Sequence, residues 1–252
     1  MLCEQKYLGE ADYAAYFRYA SRHFESDNYV KIDGKPVFII FEPSVIPDAE
    51  GFVEQWRNLA RVHGFPDIYF IGNALRSGDP LIAHFDKYAD SLHWFHPWQQ
   101  SLVNRVKERL WRRHRVELGP RWIDFRRAGQ EVIPAESTDR FAPTILTGWD
   151  TTPRHGRRGV VFEHLDVPAL KRQLDAAMRH FSRFPNADPL LLIKSWNEWA
   201  EGNILEPDSV YGFGMLEAVR DVLTRGPVEL SRSPPGAAID EPPCLSDQPL
   251  SQ

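Results

Sequence analysis

Leu190-Leu191-Leu192-Ile193-Lys194-Ser195-Trp196-Asn197-Glu198 begins as an apolar run and ends in polar and aromatic residues. Four large apolar side chains in succession read as a strand buried on both faces, the pattern of a parallel sheet. The same grammar recurs upstream. Val37-Phe38-Ile39-Ile40-Phe41, bounded by prolines, runs into Glu42. Asp67-Ile68-Tyr69-Phe70-Ile71 is followed by Asn73, and the strand read from Ala89 to Trp94 ends among His93, Trp94 and His96. Thr144-Ile145-Leu146-Thr147 leads to Trp149 and Asp150.

Helical spacing fills the intervals. Tyr13, Tyr16, Phe17, Ala20 and Phe24 mark one face of a helix over residues 10–24. Residues 50–63 predict an amphipathic helix closed by Gly64. A short helix is expected over 79–87, and a longer excursion, mostly helix and then loop, over 97–140. Leu170, Leu174, Ala177, Met178 and Phe181 line a helix from Val167 to Phe184, and a last helix runs from Tyr211 to Leu223. Strands alternating with helices predict a parallel α/β architecture. No GxGxxG or GxxxxGK[ST] follows a strand, which removes the usual reason for an open nucleotide-binding sheet. Polar strand ends that converge on one face are the arrangement of a (β/α) barrel. The fold expected is therefore α/β and (β/α)8 TIM-barrel-like. Five strands are legible where a closed barrel has eight, so the barrel is expected to be incomplete. Residues 1–225 form this unit, and 226–252, rich in Pro, Ser and acids, read as a disordered tail.

Composition narrows the function classes. In 252 residues, 42% are hydrophobic and 12% aromatic, enough for a buried core. Eight Trp is a high count, and indoles that do not fill a core commonly stack on a ligand. The net charge of −5 argues against a nucleic-acid partner. The basic run Arg105–Arg115 reads as a solvated helix face, with Val103, Val106, Leu110 and Trp111 on the opposite side. Cys3 and Cys244 stand near opposite ends without CxxC spacing, so neither a zinc site nor a disulfide is expected. No stretch is apolar enough for a membrane span or a signal peptide, and a cytoplasmic location is expected.

The sharpest chemical signal is Ser195-Trp196-Asn197-Glu198-Trp199-Ala200-Glu201-Gly202. Two carboxylates three apart, set at a strand end between two indoles, suit glycosidic chemistry. That chemistry needs one acid to protonate the leaving oxygen and a second group as base or nucleophile. Indole faces suit the C–H surface of sugar rings and exclude water. The alternative is a helix start, with Asn197 and Glu201 as caps. Glu206 adds another acid nearby. In Gly148-Trp149-Asp150-Thr151-Thr152-Pro153-Arg154, Asp150 could bind sugar hydroxyls with Arg154 orienting it, or simply bond its own backbone in a turn fixed by Pro153. His93 and His96 lack a third ligand, so they read as a cleft wall with Trp94 rather than a metal site. Glu42 reads either as a contact to substrate or as an ion-pair partner. No GxSxG elbow or Cys–base pair supports acyl transfer.

These residues resemble a known family. Residues 195–208 are similar to the signature of the WbsX-like glycosyltransferases, also called glycoside hydrolase family 99-like domains. Residues 149–154 resemble that family's Trp-Asp-Asn-Thr-Pro-Arg motif, with Thr151 in place of Asn. Residues 29–38 resemble the approach to one of its strands. The resemblance spans about residues 4–223 and implies a (β/α)8 barrel, no cofactor and no metal. It implies that Glu198 deprotonates the sugar 2-hydroxyl, which attacks C1 to give an epoxide-like intermediate. Glu201 then acts as acid and later as base, with net retention. The substrate implied is an oligosaccharide or polysaccharide, bound by Trp196, Asn197, Trp199, Trp149, Asp150, Arg154, His93, Trp94, His96, Glu42 and Glu206.

Family members carry about three earlier strands before a segment like Glu4-Gln5-Lys6-Tyr7. The chain is therefore expected to be the C-terminal part of a longer protein. Open sheet edges would then favour association with a partner that supplies strands. Two alternatives to an enzyme stay open: a glycan-binding remnant without catalysis, and a purely structural α/β protein.

Overall fold

The computed structural model describes residues 6–91, 101–128 and 133–230. Helix α1 spans Glu10–Phe24. A tight hairpin follows, with β1 (Lys31–Ile32) returning into β2 (Lys35–Ile40), and Asp33 and Gly34 at positive φ in its turn. Helix α2 (Ala49–Val62) begins at an Asp48 cap that accepts from the Gly51 N–H at 2.9 Å. It ends where the sequence predicts, with Gly64 at φ +88 and Phe65 N–H returning to the Ala60 carbonyl. Strand β3 is Tyr69–Gly72, a 3-10 turn spans Pro80–His84 and β4 is Lys87–Tyr88.

Strands β2, β3 and β4 are parallel neighbours in chain order. The order continues through a parallel bridge between Tyr88 and Phe141 to β6 (Thr144–Ile145), which pairs in parallel with β8 (Leu192–Ile193). Four of the strands read from sequence thus stand in sequence order. The third is displaced: it forms at Lys87–Tyr88, where the stretch read as a short helix ends, while 89–91 are not strand and 92–94 lie outside the described residues. The whole is a mixed α/β fold. Among the described residues this arc does not close into a barrel.

The excursion departs from expectation. It holds α3 (Leu102–His114), then β5 (Arg121–Asp124) and α4 (Phe125–Ala128). Strand β5 pairs in parallel with β7 (Val160–Glu163), which follows α5 (Thr152–His155) and a 3-10 turn at Gly156–Arg158. Both strands are short and partly exposed, which is why periodicity does not reveal them. The apolar side read for α3 is not a buried one: Val103 and Val106 are exposed, and Asn104 is the buried residue, its amide donating to the Trp122 carbonyl at 2.8 Å.

Helix α6 (Val167–Arg183) has Asp166 as cap. A hairpin of β9 (Asn197–Glu198) and β10 (Asn203–Ile204) precedes α7 (Gly214–Leu230), which breaks at Gly226 (φ 68). The expected tail from 226 begins as helix instead, α7 running on to Leu230 past its break at Gly226. Residues 231–252 lie outside the described residues, as do Cys3 and Cys244. No described helix is long and apolar enough to cross a membrane.

Two cores support the arc. In one, α1 and α2 press Phe17, Phe24 and Trp56 onto Ile68 and Phe70. Trp56 is fully buried and its indole N–H donates to the Tyr13 carbonyl at 3.0 Å, so the ring enters the core without an unmet donor. Truncation of such a residue costs about 3–5 kcal/mol. In the other, α6 and α7 cover β6 with Leu170, Leu174, Met178, Met215 and Val222 against Ile145 and Leu146. His180 sits where the two meet. It faces the Ser137 hydroxyl and the Phe141 carbonyl, both at 3.3 Å, and burial lowers its pKa. Arg57 ties helix to sheet, reaching Asp67 at 2.9 Å and Asp86 at 2.8 Å.

Candidate active site

The 195–206 loop grows out of β8. Ser195 Oγ accepts from the Glu198 N–H at 3.2 Å. The β9–β10 hairpin then turns through a 3-10 segment, Trp199–Glu201, closed by Gly202 at φ 59. No side chain caps this turn, so Asn197 and Glu201 are not spent as helix caps. Thr147, at the end of β6, anchors the hairpin from below, its hydroxyl 2.8 Å from Asn203 Oδ1 and 3.2 Å from the Ser195 carbonyl. Asn203 is buried, which makes this polar pair internal scaffolding.

The two carboxylates have different surroundings. Glu198 is exposed, and its carboxylate has no hydrogen-bond partner among the described residues. Glu201 is turned inward, its side chain 13% exposed. One oxygen, Oε2, accepts from the Trp149 indole N–H at 2.9 Å, and Oε1 meets Arg154 Nη1 at 2.9 Å. The Asp150 N–H donates to the Glu201 carbonyl at 2.6 Å. Gly148 lets the two segments touch: it stands at φ +109, and a Cβ there would lie 2.8 Å from the Gly202 carbonyl oxygen.

Trp149 is itself held on several sides. Its carbonyl accepts from the Phe162 N–H at 2.7 Å, and the Phe162 ring meets it edge-on. The ammonium of Lys194 lies 3.2 Å from the Trp149 ring centroid. Burial brings the Lys194 pKa down to about 8, and the nearby Glu201 opposes that fall. Lys194 is a site residue the sequence reading missed. Its signal was a cation in the first position after the apolar run 190–193, among acids and aromatics.

Trp196 and Trp199 are both more than half exposed, on the outer side of the hairpin. Glu206 accepts from both indoles, Trp196 at 3.1 Å and Trp199 at 2.8 Å. One carboxylate thus fixes two rings that would otherwise be free on the surface.

Asp150 and Arg154 do not form the pair suggested by sequence. Asp150 Oδ1 accepts from the Thr152 N–H at 2.8 Å and the Thr152 hydroxyl at 2.6 Å, an Asx turn that starts α5. Arg154 goes to Glu201 instead, since the turn carries it across to the 3-10 segment. Glu42 lies elsewhere along the arc, exposed beside a groove of about 670 Å³ lined by Tyr16, Phe38 and Phe41. No hydrogen bond or ion pair among the described residues joins it to the 195–206 loop. His93, Trp94 and His96 lie outside the described residues. Among the described residues no three His, Cys, Asp or Glu side chains are grouped as metal ligands.

Comparisons with known proteins place the chain among relatives. Residues 1–219 match the family model described as Glycosyltransferase WbsX. Two curated relatives, each named uncharacterized protein WxcX, come from two strains of Xanthomonas campestris pv. campestris. Both are 26% identical over 230 residues, covering 90% of this chain and 32% of theirs. The chain thus spans about a third of the length of these curated relatives. A solved structure described as a glycoside hydrolase-like protein is similar in fold, with a TM-score of 0.52 at 14% identity over 84% of this chain and 60% of that one. The GH99 endo-alpha-mannosidase from Bacteroides thetaiotaomicron gives a TM-score of 0.47 at 13% identity over 87% and 63%.

Proposed function

The chain belongs to the glycosyltransferase WbsX family, and from that premise we propose that its 195–206 loop is the acid/base centre of a carbohydrate-active enzyme. The observation that carries the reading is the contrast between Glu198 and Glu201. One carboxylate is open to a ligand, the other is lodged against an indole N–H and an arginine, and two exposed indoles stand beside them. Paired carboxylates with divergent surroundings are what acid/base division of labour requires. The parallel arc is read as part of a (β/α)8 barrel. Strand β1 covers only the first part of β2, at Lys35 and Pro36, so a further strand would add along the later part, beside the exposed Ile39 and Phe41.

In the proposed reaction Glu198 takes the proton of the sugar 2-hydroxyl. That oxygen attacks C1 while the C1–O bond to the leaving group breaks, and Glu201 protonates the departing oxygen. In the second half Glu201 takes a proton from water or from an acceptor hydroxyl, whose oxygen attacks C1. The ring opens and the 2-oxygen recovers its proton from Glu198. Both carboxyl groups end in their starting protonation states, the proton Glu201 gives to the leaving group being replaced by one from the acceptor, and the anomeric configuration is retained. Hydrolysis and transfer differ only in what enters at the second step. For Glu201 to give a proton, Arg154 has to leave Oε1. Its side chain is 64% exposed, so an arriving sugar can displace it.

The Arg154–Glu201 contact also favours a second reading, a glycan-binding domain without turnover, in which the ion pair persists with ligand bound. The two separate on one experiment. Glu198→Gln and Glu201→Gln are assayed for release or transfer of sugar from mannoside-type oligosaccharides, alongside binding. An enzyme loses turnover in both and keeps binding. Turnover retained in either variant removes that residue from its role, and binding with no turnover in the unmutated chain selects the second reading.

A further inference from the structure

The basic run on α3 is more than a solvated face. Lys107 and Trp111 line a cavity of about 120 Å³ together with Arg121 of β5 and with Arg157 and Arg158 of the turn after α5. Among the described residues, the acids on its lining are Glu108 and Glu117, against four cations. Glu108 is already shared: Arg112 holds one oxygen at 2.7 Å and Arg121 lies 3.7 Å from the other. Arg157 and Arg158 have no ion-pair partner among the described residues.

The cations are also ordered. The Arg158 guanidinium lies 3.7 Å from the Trp111 ring centroid, and Arg115 lies 4.8 Å from it. Stacking fixes the plane of Arg158 and leaves its N–H edge available to a ligand. Lys107 donates to the Pro120 carbonyl at 2.6 Å, which holds the loop leading to Arg121. Burial lowers the Arg121 pKa, and Arg158 and Arg112 lower it further while Glu108 opposes them. Among the described residues, four cations thus line the cavity against two acids, one of them already bound to Arg112.

We propose that this cavity is an oxyanion subsite, taking one phosphate or carboxylate group of the ligand that serves the neighbouring loop. Guanidinium forks match both groups bidentately. The volume corresponds to about four waters at roughly 30 Å³ each, enough for one such group and too small for a whole sugar nucleotide. The site belongs near the candidate centre because a single short segment, 152–158, carries Arg154 to Glu201 and Arg157–Arg158 to the cavity. The anion site stands on its own geometry and does not require Glu198 and Glu201 to be catalytic.

Calorimetric titration of the purified chain with inorganic phosphate, pyrophosphate and glucuronate, at constant ionic strength, tests this. Saturable binding is expected, weakened about tenfold by Arg157→Gln or Arg158→Gln, as the loss of a charged hydrogen bond implies. Arg18→Gln, which removes the same charge from the exposed face of α1, leaves it unchanged. Tighter pyrophosphate binding points to a phosphate-bearing donor, and tighter glucuronate binding to an acidic glycan. In the unmutated chain, a shift of the Arg158 Nε–H resonance with phosphate is a second readout that needs no variant. No saturation with any of the three anions, or an equal loss in Arg18→Gln, overturns the proposal.

Discussion

Trp149 donates its indole N–H to Glu201 across 52 residues of sequence, and that 2.9 Å contact joins the two motifs of the site. One end of Trp149 orients a carboxylate. Its face carries the Lys194 ammonium, and its backbone is stitched to β7 through Phe162.

Trp149→Phe removes the N–H while keeping a smaller aromatic face for Lys194. Loss of a donor to a largely buried carboxylate costs about 1–3 kcal/mol. The expected outcome is a lower midpoint in urea unfolding and about a tenfold fall in turnover, with glycan affinity little changed. Unaltered turnover removes Trp149 as the residue that positions Glu201.

Glu206→Ala frees both exposed indoles while touching neither candidate carboxylate. Ordering two loose rings again on binding costs about 0.5–1.5 kcal/mol each. Glycan affinity is expected to fall about tenfold with stability nearly constant, because the contacts are solvent-exposed. Calorimetry on any glycan that binds the unmutated chain, paired with a thermal melt, gives both numbers.

Lys194 makes stability depend on pH in a stated direction. Its folded pKa of about 8 lies below the ordinary 10.5, so between those values the unfolded chain holds more protons. Stability from this group therefore rises with pH across that window, and below about 8 the burial penalty on the ammonium is fully present. Lys194→Met removes the charge and keeps the bulk. Urea unfolding at pH 7.5 and 9.5 is expected to show a smaller gain in the variant than in the unmutated chain. Equal gains mean Lys194 stays charged in the folded state throughout.

Gly148→Ala tests the close approach that brings residues 148–150 against 201–202. The backbone at φ +109 is strained for alanine, and the new methyl meets the Gly202 oxygen at 2.8 Å and the Leu165 side chain at 3.0 Å. About 2–4 kcal/mol of destabilisation is expected. A shift below about 1 kcal/mol in the unfolding free energy means that the two segments slide apart at little cost.

Where the motifs lie on the fold was legible in the sequence, and how they meet was not. Glu198 and Glu201 stand at the end of the strand read from residues 190–193, and Trp149 and Asp150 at the end of the one before. Strand β5 and strand β7 went unread because each is only four residues long, with no more than two fully buried side chains. Arg154 was matched with Asp150 because they are near in sequence. In space Asp150 is consumed by Thr152 and the arginine crosses to Glu201.

The division follows the range of the forces involved. Apolar periodicity, prolines, Asp caps and the glycine after α2 act within a few residues, so the amino-acid order alone specified the alternating elements and put Trp and Glu side chains at strand ends. Which carboxylate faces solvent, which one meets a cation, and that Lys194 lies half-buried against an indole depend on partners up to tens of residues away. Those were decided only when packing brought the strand ends together and set the local dielectric around each charge.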